Sequence, residues 1–548
     1  ESLGAVQSKL LFLSRFRFFL LVMGALVLST TLAVLLLAVV EAQLRLPMQK
    51  AQRPSLDLLP VWARGGKLAA DKFAEQGPHC SVARGCTEYD LQVPYDWEAA
   101  LHQAGAVSGE DLLQVADSAA DTFPIRFWVD YSCYKDNGPI FVSMGGEGGR
   151  SGVSCSDYAK QYGALMVGVE HRFYGGSVPP GGLTVDNLRY LDVQQNLHDT
   201  AAVVQYVQAN LMPTRARSTD DDGGDASTVV AFGGSYSGAT CAWFRQAFPH
   251  LVTGCISESG VINAILDFTA FDVQVKTALE MPGFPGTAMN CSGRLIESTR
   301  ALERQLAMGN ITDIKRFFGA SNLIDTPQGD PDFFYMIADG PAMMVQYGSK
   351  AELCDGLAQI DADSDDWTRI SNLNDIIVAH YGTGFASGCF YDSDCIRSAA
   401  RTGGPGSNMA DGDSRSWRWQ KCTQTAYLQA APAEESVRGA ILTLDALVEQ
   451  CQYIFGADIV PDTSTLNIPF GGARPDLVNT SNIVYLDYSD DPWKEASLQA
   501  QYTPALPLCI TECDGCGHCG AGAPSALTEC HDLAMSFVGE WVEPSSSG

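Results

Sequence analysis

The chain has 548 residues, 46% of them hydrophobic and 18% charged, with 64 acidic against 35 basic side chains and a formal net charge of -29. That length calls for roughly two to four domains, or one large domain carrying an insertion. The acidic excess excludes a nucleic-acid partner, since no surplus of Lys or Arg exists to neutralise phosphate, and it suits a soluble protein of an acidic or salty compartment.

In chain order, Lys9, Arg15 and Arg17 precede an uncharged run from Phe18 to Val40. The run is long enough for a bilayer, which needs about 20 residues. Its basic flank would stay cytoplasmic and place the rest of the chain in the lumen. "VEA", ending at Ala42, would also serve as a signal cleavage site. Residues 1–42 are therefore a signal peptide or a retained signal anchor, and both readings stand. Residues 43–85 read as a linker or stalk. The 17 cysteines all follow residue 79, and sequons stand at Asn290, Asn310 and Asn479. Together they favour the secretory pathway, where thiols oxidise. The odd count leaves at least one thiol outside the internal disulfides.

From residue 86 to 263 the pattern is that of a sheet. "FPIRFWVDYSCY" alternates, and "GPIFVSMGGEGG", "GALMVGVEHRFYGG", "STVVAFGGSYSGATCAWFRQAF" and "LVTGCISESG" are short apolar runs ending in glycine or small residues. Such runs alternating with helical stretches predict a parallel sheet covered on both faces. Residues 264–455 turn helical, with "TALE", "SGRLIESTRALERQLAMG" and "ESVRGAILTLDALVEQCQYIF", and read as an inserted helical domain. Residues 456–548 return to a strand, "NIVYLDYSDDPW", and close on an amphipathic helix, "SALTECHDLAMSFVGEWV". The polar, Gly-rich stretches 214–227 and 400–416 read as surface loops.

The chemistry centres on "VVAFGGSYSGA". An apolar strand, a turn of tiny residues and a helix start are what a nucleophile elbow requires, with Ser235 lifted above the sheet. A serine needs a base and the base an orienting acid, in the chain order Ser, Asp, His. Of the histidines after the returning strand, His531 falls in the closing helix, whereas His518 lies in the Gly-rich loop "ECDGCGHCGAG". For the acid, Asp487, Asp490 and Asp491 are on offer, the last two at the strand end, and spacing does not choose between them. The oxyanion donors would be the backbone N–H groups of Tyr236 and of Gly145 or Gly146 in "MGGEGG". The same Cys-rich loop could instead form a zinc site. Adjacent His518 and Cys519 would strain to face one ion, so no metal and no cofactor are expected.

The stretches "GPIFVSMGGEG", "ALMVGVEHRFYGGSVP", "LRYLDVQQNLHD", "FGGSYSGATCAWFRQAFPHLVTGCISESG", "RSWRWQKCTQTAYLQ", "NIVYLDYSDDPW" and "CGHC", in this order, resemble a family of serine peptidases. That family includes lysosomal Pro-Xaa carboxypeptidase, dipeptidyl peptidase II and thymus-specific serine protease, and the thymus-specific branch looks most similar. The resemblance implies an α/β-hydrolase fold with a helical cap inserted before the strand carrying the acid. It implies a Ser235, Asp491, His518 triad with Tyr236 and Gly146 as oxyanion donors. It further implies exopeptidase action beside proline or small residues, in a lysosome-like compartment or outside the cell. The expected partners are a peptide substrate, the membrane where the N-terminal helix is retained, and a second copy in a homodimer. Asp392 or Asp394 in "CFYDSDC" would hold a substrate amino terminus, against the alternative of two solvated acids in a disulfide loop. Ser237 in place of Gly, and Gln424 where the family commonly has Glu, depart from the pattern. They keep in view a catalytically impaired binding or structural subunit, beside an esterase or lipase of the same fold.

Overall fold

The structure is a computed structural model that describes residues 85–106, 111–212, 227–399, 409–522 and 529–542. The Phe18–Val40 run, the linker up to residue 84 and nearly all of the 214–227 stretch lie outside these residues. Among the described residues, no helix is long and apolar enough to cross a membrane.

The predicted strands form one sheet with two additions. The strands are β1 (Cys86–Pro94), β2 (Thr122–Asp130), β3 (Ile140–Ser143), β4 (Leu165–Val169), β5 (Val229–Gly234), β6 (Gly254–Glu258), β9 (Ile483–Tyr488) and β10 (Leu508–Thr511). They lie in the order β1-β2-β4-β3-β5-β6-β9-β10. β2 runs antiparallel to β1 and β4, and every pairing from β4 to β10 is parallel. This is the α/β-hydrolase arrangement. The sequence reading passed over both edge strands, β1 and β10. Only the first half of β2 alternates in burial; its end is buried on both sides, between two neighbours.

The central strands are continuous apolar runs because both faces are covered. Ile140, Val142, Val229 and Ala231 face one core, and Phe141, Val230 and Phe232 face the other. The second core is closed by the C-terminal helix Glu529–Val542 through Ala534 and Val538. There Gly254 is needed, because a Cβ would lie 2.3 Å from the Trp541 ring.

Between β6 and β9 the chain is largely helical, as its texture predicts. At its base sits a two-stranded ribbon, β7 (Ile265–Asp267) beside β8 (Ala426–Leu428). The expected helix over "ESVRGAILTLDALVEQCQYIF" is shorter than its apolar pattern, spanning Leu444–Phe455. Upstream, Arg438 is drawn into a buried pair with Asp272 at 3.0 Å, and Glu435 takes a positive φ. In the stretch 400–416, helix begins at Met409 and runs to Thr423. Seven disulfides join described residues, and Cys519 is the buried cysteine left as a thiol.

Candidate active site

β5 delivers Ser235. Its backbone sits at φ 58° and ψ -130°, a region that side-chain-bearing residues seldom occupy and that persists only where the surroundings over-determine it. Here those surroundings are steric. A Cβ on Gly233 would lie 2.1 Å from the Ser237 carbonyl oxygen, and one on Gly238 would lie 3.0 Å from the Glu258 carbonyl. The helix Tyr236–Ala247 starts at once, so the Tyr236 N–H is one of the N-terminal donors that have no partner inside the helix. The Cys241–Cys255 disulfide ties this helix to β6. Ser237 fits where a glycine is usual. It is buried, its Oγ has no hydrogen-bond partner, and it presses on Gly146, where a Cβ would lie 2.5 Å from it. The elbow and the "MGGEGG" loop are thus in direct contact.

β9 carries or precedes the three candidate acids, and their surroundings differ. Asp491 Oδ2 lies 2.7 Å from His518 Nδ1, and its Oδ1 accepts the Trp493 N–H at 2.7 Å. Asp490 instead accepts the N–H groups of Gly515 and Gly517 and pairs with buried Lys350 at 3.1 Å. It holds the histidine loop. Burial and the Asp491 charge push the Asp487 carboxyl well above the ordinary range, which favours its neutral form. Burial disfavours a charged His518, but the Asp491 carboxylate outweighs it and holds the imidazole well above its ordinary value. In the neutral form that can act as a base, Nδ1–H is bonded to Asp491 and Nε2 carries the lone pair; that nitrogen is buried without a hydrogen-bond partner.

The end of β6 ties the His518 loop to the Ser235 turn. The Glu258 carbonyl accepts the Ser235 N–H at 2.9 Å and the Cys519 thiol at 3.7 Å, while Ser259 Oγ accepts the Cys519 N–H at 2.9 Å. The cysteines around His518 do not form a thiolate cluster, for Cys513 and Cys516 are joined to each other. The helical stretch between β6 and β9 packs on the loop's other side. A Cβ on Gly517 would lie 2.3 Å from the Gln346 carbonyl, and Lys350 reaches Asp514 at 2.6 Å.

Several residues that surround the candidate site escaped the sequence reading. Tyr174 donates to Gln420 Oε1, Gln420 Nε2 donates to the Tyr236 hydroxyl, and His171 Nε2 lies 3.1 Å from that hydroxyl. His171 Nδ1 must donate to the Arg172 carbonyl at 2.8 Å, so Nε2 accepts from Tyr236. Burial drops His171 to about 3, which keeps the ring neutral. This relay locks the side chain next to Ser235 to the cap helix. Glu147 is buried, directly follows Gly146, and leaves Oε2 without a hydrogen-bond partner. Asp392 and Asp394 lie in the helical stretch between β6 and β9. Asp392 Oδ1 caps the helix Ser393–Ser398 through the Cys395 N–H, its Oδ2 accepts from Asn322, and Asp394 accepts from Tyr453 Oη. Gln424 accepts the Val193 N–H at 3.0 Å and donates to Asp192 Oδ2 at 2.5 Å.

The description "Serine carboxypeptidase S28" matches residues 113–536. The chain belongs to that serine peptidase family. It is 33% identical over 404 residues to "Probable serine protease EDA2" of Arabidopsis thaliana, covering 71% of this chain and 75% of that one. Against the thymus-specific serine protease of Mus musculus it is 26% identical, covering 79% and 86%. Against the lysosomal Pro-X carboxypeptidase of Bos taurus it is 22% identical, covering 77% and 84%. A hyperthermophilic esterase from Pyrobaculum calidifontis aligns over 88% of this chain and 91% of its own, at 12% identity and a TM-score of 0.29, so the fold assignment rests on the strand order. The family match makes the protein an enzyme, a serine-type peptidase acting on peptides.

Proposed function

We propose that the protein is a serine exopeptidase with Ser235 as nucleophile, His518 as base and Asp491 as orienting acid, cleaving beside proline or small residues. The observation that carries this reading is the buried 2.7 Å pair between His518 Nδ1 and Asp491 Oδ2, with Nε2 left unbonded on a loop tied to the elbow through Glu258 and Ser259. In the proposed cycle, His518 Nε2 takes the Ser235 proton as Oγ attacks the scissile carbonyl. The N–H groups of Tyr236 and Gly146 receive the oxyanion, His518 returns the proton to the leaving amine, and water clears the acyl-enzyme. The neutral Asp487 matters here, because a second ionised carboxylate behind Asp491 would bind the imidazolium proton too tightly for its return.

The preference beside proline rests on the Pro-X carboxypeptidase among the relatives. Residues 264–455 act as the cap that limits access to short or unfolded peptides. A lysosomal or extracellular setting is supported by the disulfides, by the exposed positions of Asn290, Asn310 and Asn479, and by relatives named as lysosomal and extracellular. The test is direct. Ser235→Ala should abolish both peptide cleavage and labelling by a fluorophosphonate, and labelling that persists in this variant ends the assignment.

A further inference from the structure

Beside the triad stands an acid that the hydrolytic cycle leaves without a task. Glu147 is buried, follows the oxyanion glycine Gly146 in the chain, and has an Oε2 with no hydrogen-bond partner. A desolvated carboxylate with an empty oxygen is costly unless a cation neutralises it. The charged side chain that chiefly acts on Glu147 is His518. Two buried cations of the cap are already committed, Lys350 to Asp490 and Asp514, and Arg438 to Asp272 and Asp339. The other groups that feel Glu147 are the phenols of Tyr174, Tyr236, Tyr347 and Tyr427. Burial, only partly offset by its own backbone N–H and by His518, accordingly pushes Glu147 up to about 7. Below that pH it is a neutral carboxyl, a donor facing no acceptor.

A second donor, Tyr347, lies within electrostatic reach of it. Trp493 Nε1 can only donate, and it does so to Gln346 Oε1 at 2.9 Å. That fixes the Gln346 amide, whose Nε2 must then donate to the Tyr347 hydroxyl at 2.8 Å. Tyr347 accepts in this bond, so its own proton is left to donate elsewhere. By contrast, Tyr174 and Tyr427 spend their protons on Gln420 and on the Val261 carbonyl, and Tyr236 spends its proton on His171.

We propose that Glu147 and Tyr347 form the subsite that receives the free α-carboxylate of the peptide, so that this enzyme trims from the carboxy terminus. The inference rests on the serine exopeptidase reading above and deepens it. The substrate carboxylate accepts one hydrogen bond from the Glu147 carboxyl and one from the Tyr347 hydroxyl, and both are strengthened by its charge. The proton on Glu147 is the switch. Once it is lost, two carboxylates face each other and the subsite repels its ligand.

The experiment compares an N-acetylated tripeptide ending in Pro-Phe, as free acid and as amide, across about pH 5 to 8, the span around the Glu147 transition. The readout is the ratio of kcat/KM for acid over amide, from which the titration of His518, common to both, cancels. In the wild type the acid should be favoured about tenfold at low pH, the size of one charge-assisted hydrogen bond, with the ratio falling as pH passes 7. Glu147→Gln keeps a donor and removes the titration, so the preference should survive and its pH dependence vanish. Tyr347→Phe should cut the preference while its pH dependence remains. A Glu147→Gln variant whose ratio still falls with pH overturns the proposal. So does a wild-type enzyme that is labelled by fluorophosphonate yet cleaves acid and amide alike, or that instead requires a free amino terminus. A wild-type protein that fluorophosphonate does not label at all fails earlier, at the triad, and takes this subsite with it.

Discussion

The two halves of the proposed catalytic centre are held by different physics. The elbow is built from backbone. Ser235 keeps its strained φ because Gly233 and Gly238 let main-chain atoms approach where no side chain fits. The histidine loop, apart from the close main-chain approaches at Gly517 and Gly522, is held by side chains. Asp490 takes two of its N–H groups, Ser489 Oγ takes the Cys513 N–H, Lys350 bridges Asp490 and Asp514, and Cys513 is joined to Cys516. A strand-to-helix turn can be fixed by sterics alone, since regular elements flank it on both sides. A loop after an edge strand has no such walls, so each of its orphan backbone groups needs a partner.

The contrast breaks most visibly at glycine. Gly233→Ala puts a methyl 2.1 Å from the Ser237 oxygen and 2.4 Å from its carbonyl carbon, both main-chain atoms that cannot yield. We expect a loss of more than about 4 kcal/mol, enough to leave little folded protein. Gly515→Ala in the histidine loop meets nothing closer than the Gly348 oxygen at 3.9 Å and bears only the strain of φ 85°, about 1–2 kcal/mol. Denaturant melts of the two variants side by side decide it. Equal losses would refute the division between backbone-built and side-chain-built halves.

Next in size is Asp490→Ala. It strips Lys350 of its buried partner, leaves only the half-exposed Asp514, and frees the Gly515 and Gly517 N–H groups. A cost of about 3 kcal/mol is expected. Peptidase activity should be lost at temperatures where the protein is still folded, because the loop carrying His518 loosens first. Activity and melting that decline together would mean that the loop and the core form one cooperative unit.

How far these features could be read in advance follows the same division. The elbow was legible because sterics write themselves into composition: only tiny residues fit around Ser235, and an apolar run must precede them. His518 was legible as a histidine in a glycine-rich loop after the returning strand. The choice between Asp490 and Asp491 was not, because one residue at a strand end decides which carboxylate turns to the imidazole and which to the loop amides, and that depends on Lys350 from the cap. The ribbon of β7 and β8 was missed because three-residue strands carry no periodicity. The Tyr174, Gln420, Tyr236 and His171 relay joins residues up to 246 positions apart, and no local pattern announces such a bond. Glu147 did leave a signal, an acid enclosed by glycines at the end of a strand. Asp392 left another, since an Asp directly ahead of a short helical run, three residues before the N–H it would accept, is a helix-capping pattern.

The smallest expected effect tests the join between the two halves of the chain. Gln424 holds Val193 N–H with its oxygen and Asp192 with its amide, and Asp192 in turn caps the helix Val193–Tyr206 through the Gln195 N–H. An amide does both jobs at every pH, whereas a carboxyl does both only when protonated. Burial already raises the Asp192 pKa, although several hydrogen bonds oppose it. Gln424→Glu would set a second carboxyl against it and raise both. An acid whose folded pKa is raised contributes stability at low pH that is lost as pH rises above its unfolded value. The variant should therefore match the wild type near pH 4 and fall behind by about 1–2 kcal/mol at pH 7, the value of a hydrogen bond to a charged group turned into a repulsion. Urea melts at the two pH values measure it. If the deficit is the same at both, Gln424 acts through packing and not through its amide. If instead the melts are unchanged while the acid-over-amide ratio shifts, Gln424 belongs to the substrate end of the cleft.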